Sequence, residues 1–420
     1  MKPLLAVLLL LVTSSLTAQP KTDPWLRQLV RQRASPFLQQ VLDQPETFQY
    51  QVIYTRINRD AQNRPHFTNF YLNVDRRRYF NPASTVKLPT ALLALEKINS
   101  LRKYGVNKFT TMLTDSSYSG QELVSWDSTS ADGYPSVAHY IRKIFLVSDN
   151  DAYNRLYELV GQRTLNRRLW GMGYKDARIT RRFVPLSADQ NRHTNAIRFV
   201  RNKELLCRLP PAFNRDSFDF SRTDTIGKAH YNRNDSLVLA PMDFSTHNRL
   251  PLEDLQQILQ AVLFPAATPL AKRFRLQQSD YRFLRQYMSQ LPSESSNPTF
   301  DTTEFFDSYT KFFNWRADSS RIPGSMRSFN KAGWAYGFLT DAAYVVDLQQ
   351  GVEFMVSAVI YVNKDGVLND NKYEYEETGY PFFREIGDII YQYELGRSRP
   401  VKPNLSAFRF NYSNDQEPRR

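Results

Sequence analysis

Segments with strand character stand at both ends of this chain and helical ones fill the middle, an arrangement that narrows the possible folds more than any other feature. Phe48 to Arg56 and Asn69 to Val74 are rich in aromatic and β-branched residues, with Asn-Arg-Asp and Asn-Arg-Pro between them as turn chemistry. Near the other end, Arg327 to Trp334, Thr340 to Asp347 and Val352 to Val362 have the same character, and Gln349-Gln350-Gly351 forms a hairpin turn between the last two. Val137 to Phe145, Asp151 to Leu159, Arg163 to Trp170 and Leu252 to Leu263 carry apolar residues at helical spacing. Pro24 to Leu42 is expected to be a helix before the first strand, and Thr378 to Tyr393 one after the last. The expectation is an α+β fold: one antiparallel sheet collects both chain ends, helices flank it, and an all-helical subdomain is inserted.

With 420 residues, 41% of them hydrophobic and 14% aromatic, the chain has material for a sizeable core. Residues 1–18 read as an export signal: Lys2 is the positive region, Leu4 to Val12 the apolar run, and Leu16-Thr17-Ala18 a small-residue cleavage site. That run falls short of the roughly 18–20 residues that span a bilayer. An exported protein, periplasmic or secreted, is therefore expected, with no membrane segment after cleavage. Residues 19–396 would form one domain, with an insertion at about 200–325 where the sequence is long and polar, and 397–420 a polar basic tail. Cys207 is the single cysteine, which excludes an intrachain disulfide and a cysteine-based zinc site. The five histidines show no H-E-x-x-H spacing, and no metal or other cofactor is expected. A formal charge of +13 reads first as a solvated basic surface; as a partner, an anionic envelope polymer suits it better than nucleic acid, because the basic residues are scattered without an aromatic-basic repeat. The chain is expected to be a monomer.

Three short segments carry chemistry. Ser84-Thr85-Val86-Lys87 places a hydroxyl and an amine one turn apart at the start of an apolar helix, behind Pro82. A neutral Lys87, its pKa lowered by burial and a neighbouring cation, would take the proton of Ser84. A second S-x-x-K, Ser100 to Lys103, closes the helix in a charged context and lacks that setting. Ser148-Asp149-Asn150 is by itself what a capping turn uses. As a partner of Ser84 it offers more: Ser148 can relay a proton to a leaving nitrogen, and Asn150 can bond a substrate amide. Lys331-Ala332-Gly333 lies on a strand, where Lys331 supplies positive charge for a substrate carboxylate and Gly333 allows close approach. The N–H groups of Ser84 and Trp334 would form an oxyanion hole. G-x-S-x-G is absent, which argues against hydrolases built on a nucleophile elbow.

In their order, spacing and element types these segments resemble the class A β-lactamase family and the related penicillin-recognising D,D-peptidases, over roughly residues 25 to 395. The resemblance implies a β-lactamase-like fold and a serine hydrolase acylated at Ser84, with β-lactams or D-alanyl cell-wall peptides as substrates. Ser84, Lys87 and Ser148 would be catalytic, and Asn150, Lys331, Gly333 and Trp334 would position substrate. Two positions depart from the family. Ala332 stands where a Ser or Thr usually helps hold the substrate carboxylate, and Val184, in Arg181-Arg182-Phe183-Val184-Pro185, stands where a glutamate activates the deacylating water. Slow hydrolysis of the acyl-enzyme is therefore expected. The alternatives are a D,D-peptidase or esterase with little β-lactamase activity and a non-catalytic wall-binding module.

Overall fold

The computed structural model describes residues 19–319 and 321–412. The export-signal reading at 1–18 lies outside them. Among the described residues no helix is long and apolar enough to cross a membrane.

A five-stranded antiparallel sheet runs in the order Met326–Ala335, Phe338–Asp347, Val352–Tyr361, Gln51–Arg59, Pro65–Leu72, so the two chain ends meet where Gln51 pairs with Val359. The two strands Phe338–Asp347 and Val352–Tyr361 are buried along their whole length. Side chains alternate between faces with period two. Tyr344 and Val346 join the core beneath the helical part, whereas Ala343 and Val345 join a separate core under Pro24–Arg33, Pro36–Leu42 and Tyr380–Gly396. The result is a three-layer helix–sheet–helix body of the β-lactamase type. Its helical lobe is built on Lys87–Ser100, with Val137–Leu146 and Asn150–Val160 around it.

The structure departs from the sequence reading in several places. Pro24 to Leu42 is two helices, Pro24–Arg33 and Pro36–Leu42. Pro36 has no N–H and pushes the preceding residue out of helical geometry. Ser35 instead caps the second helix through Leu38 N at 3.2 Å and bonds the Glu385 carboxylate. A small sheet of Thr111–Asp115, Ala196–Arg201 and Glu204–Leu209 lies in the stretch read as mainly helical. Within 200–325, the helices Leu252–Leu263 and Gln278–Ser289 pack against the main sheet. The end read as a polar tail folds back onto that sheet, with Leu405 and Phe408 buried and Phe408 against the Tyr344 and Phe329 rings at 4.8 and 5.2 Å.

Candidate active site

Ser84 does not cap an α-helix. It sits half-buried on a 3₁₀ turn, Ala83–Val86, that runs into the helix beginning at Lys87. Residues three apart eclipse in a 3₁₀ turn, so Ser84 and Lys87 share a face. The turn is entered through Ala83 at φ +43°, a strained conformation for a residue with a side chain, and the Asn81 side chain steadies it by accepting from Ala83 N at 2.8 Å. Ser100 ends the same helix at the surface, its hydroxyl donating to Lys97 O at 2.6 Å.

Lys87 is fully buried. Its ammonium donates to the main-chain oxygen of Ser148, to Asn150 Oδ1 at 2.7 Å and to Ser148 Oγ at 3.4 Å, and Phe183 covers it with its ring centroid at 5.2 Å. Burial, reinforced by the positive charge of Lys331, drives its pKa well below the ordinary lysine value. A lysine so shifted gives up its proton more readily and can then offer a lone pair to the Ser84 hydroxyl. Lys331 is also buried and donates to the same Ser148 hydroxyl at 2.8 Å, so two lysines converge on one serine. Burial brings the Lys331 pKa down to about 7, opposed by the charge of Asp341. Ser148 holds its place between them at φ +61°, and Asp149 caps the helix Asn150–Val160 through Ala152 N at 2.7 Å, leaving Asn150 exposed at the helix start.

Lys331 and Gly333 face Ser84 from the edge strand Met326–Ala335, and the residues between and after them turn the other way. Ala332 is fully buried in the core under the terminal helices with Leu339 and Ala343, so its missing hydroxyl is replaced by core packing. The Trp334 indole rests on the Tyr309 and Phe312 rings of that side at 5.5 and 5.8 Å, which leaves main chain at the cleft. Of the seven residues singled out from the sequence, Lys87, Ser148, Asn150 and Lys331 hydrogen-bond in one cluster, Gly333 lies against the Ser84 main chain, and the Trp334 side chain turns to the opposite face.

A cavity of about 650 Å³ adjoins this cluster, walled by Ala83, Phe183, Val184, Ala335 and Tyr336, and by Arg181, Arg233 and His247. None of its lining residues is acidic. Asp189 stays away from it, exposed and bonded to Tyr118 Oη at 2.7 Å. The loop carrying Val184 is anchored by a buried ion pair, Arg182 Nη1 to Glu158 Oε1 at 2.8 Å, and by Phe183 N donating to Asn154 Oδ1 at 2.8 Å. Sequence reasoning missed Phe183, Arg233 and His247, because only the folded chain brings them to the motifs. It also missed a buried network behind Lys331, where Lys311 donates to Asn330 at 2.7 Å and Asn330 to Asp341 at 2.8 Å. Among the described residues no cluster of His, Cys, Asp or Glu has the grouping that holds a metal ion.

A buried lysine pair converging on a serine beside a second, more exposed serine, on this three-layer fold, defines an active-site-serine hydrolase of β-lactamase type. Residues 36–206, which carry the first two motifs, match the model of the Beta-lactamase enzyme family. No curated protein matches the chain. Solved structures similar to it include a β-lactamase from Sphaerobacter thermophilus, at 13% identity and TM-score 0.46, covering 88% of this chain and 96% of that one. A β-lactamase from Xanthomonas campestris is similar at 14% identity and TM-score 0.47, covering 88% and 97%. The structure of PBP-A is similar at 14% identity and TM-score 0.48, covering 90% and 98%.

Proposed function

We propose that this protein is an exported, class A-like serine hydrolase whose Ser84 is acylated by β-lactams or D-alanyl amides and whose acyl-enzyme is hydrolysed slowly. The observation that carries this reading is the burial of Lys87 beside Lys331, which favours a neutral amine three residues from the nucleophile. Ser84 Oγ attacks the carbonyl carbon as its proton passes to Lys87. Catalytic hydrogen bonds of this kind commonly close only with substrate in place. The N–H groups of Ser84 and Trp334 receive the oxyanion. As the carbon–nitrogen bond breaks, Ser148 gives its proton to the leaving nitrogen and recovers one from Lys87, 3.4 Å away. Lys331 and Asn150 hold the leaving portion.

Water must then attack the ester, and this step needs a base. Val184 lines the cavity where the family's glutamate would act, and no acidic side chain lines that cavity. The same feature suits a D,D-peptidase with little β-lactamase activity, the second reading. Labelling with a fluorescent penicillin tests the nucleophile: Ser84→Ala abolishes labelling and Ser100→Ala retains it. Label retained in Ser84→Ala, mapped to another residue, overturns the assignment.

A further inference from the structure

We propose that the acyl portion of the substrate carries an anionic group, a carboxylate, and that Arg181 and Arg233 select it. This inference rests on the acylation of Ser84 proposed above. The site has two ends. Ser148, Asn150 and Lys331 surround the position of the leaving nitrogen, and none of them lines the adjoining cavity. That cavity begins at Ala83, next to the nucleophile, and at Ala335 and Tyr336, just past Trp334. A substrate whose nitrogen points to Ser148 therefore extends its acyl group into the cavity. At about 650 Å³ the space takes a group of drug-like size.

The charge of that space has one sign. Arg181 enters it from the Val184 loop and Arg233 from the turn between the strands Ala229–Tyr231 and Leu237–Val238. Among the described residues neither guanidinium has a carboxylate or hydrogen-bond partner, whereas Arg182, one position along, is bound to Glu158 and to Gln190 O. Arg181 is held by its main chain instead: its N–H donates to Asn248 Oδ1 at 3.1 Å and its oxygen accepts from Tyr153 Oη at 2.9 Å. The side chain is left available while the loop stays anchored. His247, on the same wall, is kept neutral by burial and by the charge of Arg181. Two free guanidiniums, that of a half-buried Arg181 and that of an exposed Arg233, match a carboxylate in charge and in planar donor geometry.

The test uses two penicillins that differ in one group, a free carboxylate or its carboxamide on the acyl side chain. Intact mass followed over time gives the acylation rate constant for each. The carboxylate compound should acylate the wild-type protein at least ~10-fold faster, the scale of one charge-assisted contact. Arg181→Gln combined with Arg233→Gln should bring the ratio near one, and Arg181→Glu should invert it. Equal rates in the wild type, or a ratio unchanged by these variants, overturn the proposal. If neither compound forms an adduct, the acylation reading itself fails. The inference is then decided by calorimetric binding of N-acyl-D-alanines with acidic or amidated acyl groups: tighter binding of the acid, lost in the double variant, supports it, and equal binding overturns it.

Discussion

Gly333 lies so close to Ser84 that a Cβ on the glycine would stand 2.6 Å from the Ser84 amide nitrogen. It would also meet Thr85 N at 3.0 Å and Pro82 O at 3.1 Å. All three are backbone atoms of the nucleophile turn, which cannot swing aside as a flexible side chain would. The contact ties the edge strand to the turn and sets the spacing between the two candidate oxyanion donors. Gly333→Ala is therefore expected to cut acylation by about 10²–10³-fold, the scale for losing one such donor. A wild-type rate in a folded Gly333→Ala protein would show that this spacing is immaterial.

Lys87 and Lys331 touch the same hydroxyl but should separate in kinetics. Lys87→Ala removes the base and should lower the acylation rate itself by at least ~100-fold. Lys331→Ala should chiefly weaken binding of anionic substrates.

The pH profile follows from the same pair. Lys331 releases its proton near pH 7, so it is cationic below that value and neutral above it. For an anionic substrate kcat/KM should fall as pH rises above about 7, and Lys331→Arg should move that limb upward. Lys87 gives the opposite limb, because the rate falls once the base becomes protonated. A profile flat from pH 6 to 9 would contradict the Lys331 assignment.

Stability should carry the same signature. An unfolded chain keeps its lysines protonated to about pH 10.4, whereas Lys331 in the folded protein has released its proton near 7. The unfolded state therefore binds more protons between these values, and the contribution of Lys331 to stability increases with pH over that window. Thermal melts should show a rise in Tm from pH 7 to 9 that is smaller in Lys331→Met.

The sheet was legible in sequence because its strands are long, β-branched and separated by turn residues, as at Gln349-Gln350-Gly351. The site was legible because each motif joins residues whose spacing serves one step of a reaction. What escaped depends on distant packing. Strands of five or six residues such as Thr111–Asp115 present too few alternations to register, and Arg233 reaches the cavity from a turn 149 positions beyond Ser84. The fate of Ala332 is similar. Its neighbour Lys331 faces the cleft, and only strand pleating shows that the methyl points into the opposite core.

The anchor of the Val184 loop is testable through Arg182. Its side chain is 1% exposed and Glu158 is 2% exposed, so removing the arginine leaves a buried carboxylate with Arg155 alone at 3.3 Å. Breaking one partner of such a pair costs about 3–5 kcal/mol. Arg182→Ala should lower the denaturation midpoint accordingly and raise proteolytic sensitivity at 181–185. A midpoint within experimental error of the wild type would remove the ion pair from the account of loop stability.

The most direct measurement is a rapid-quench time course with benzylpenicillin, read as intact mass and released product together. The expected result is a burst of one equivalent, a persistent adduct that peptide mapping places on Ser84, and slow turnover after it. Val184→Glu should shorten the life of the adduct if the loop holds the new carboxylate toward the ester. Steady turnover with no burst and no trapped adduct would contradict it, showing that another base serves deacylation and that Val184 does not limit the reaction.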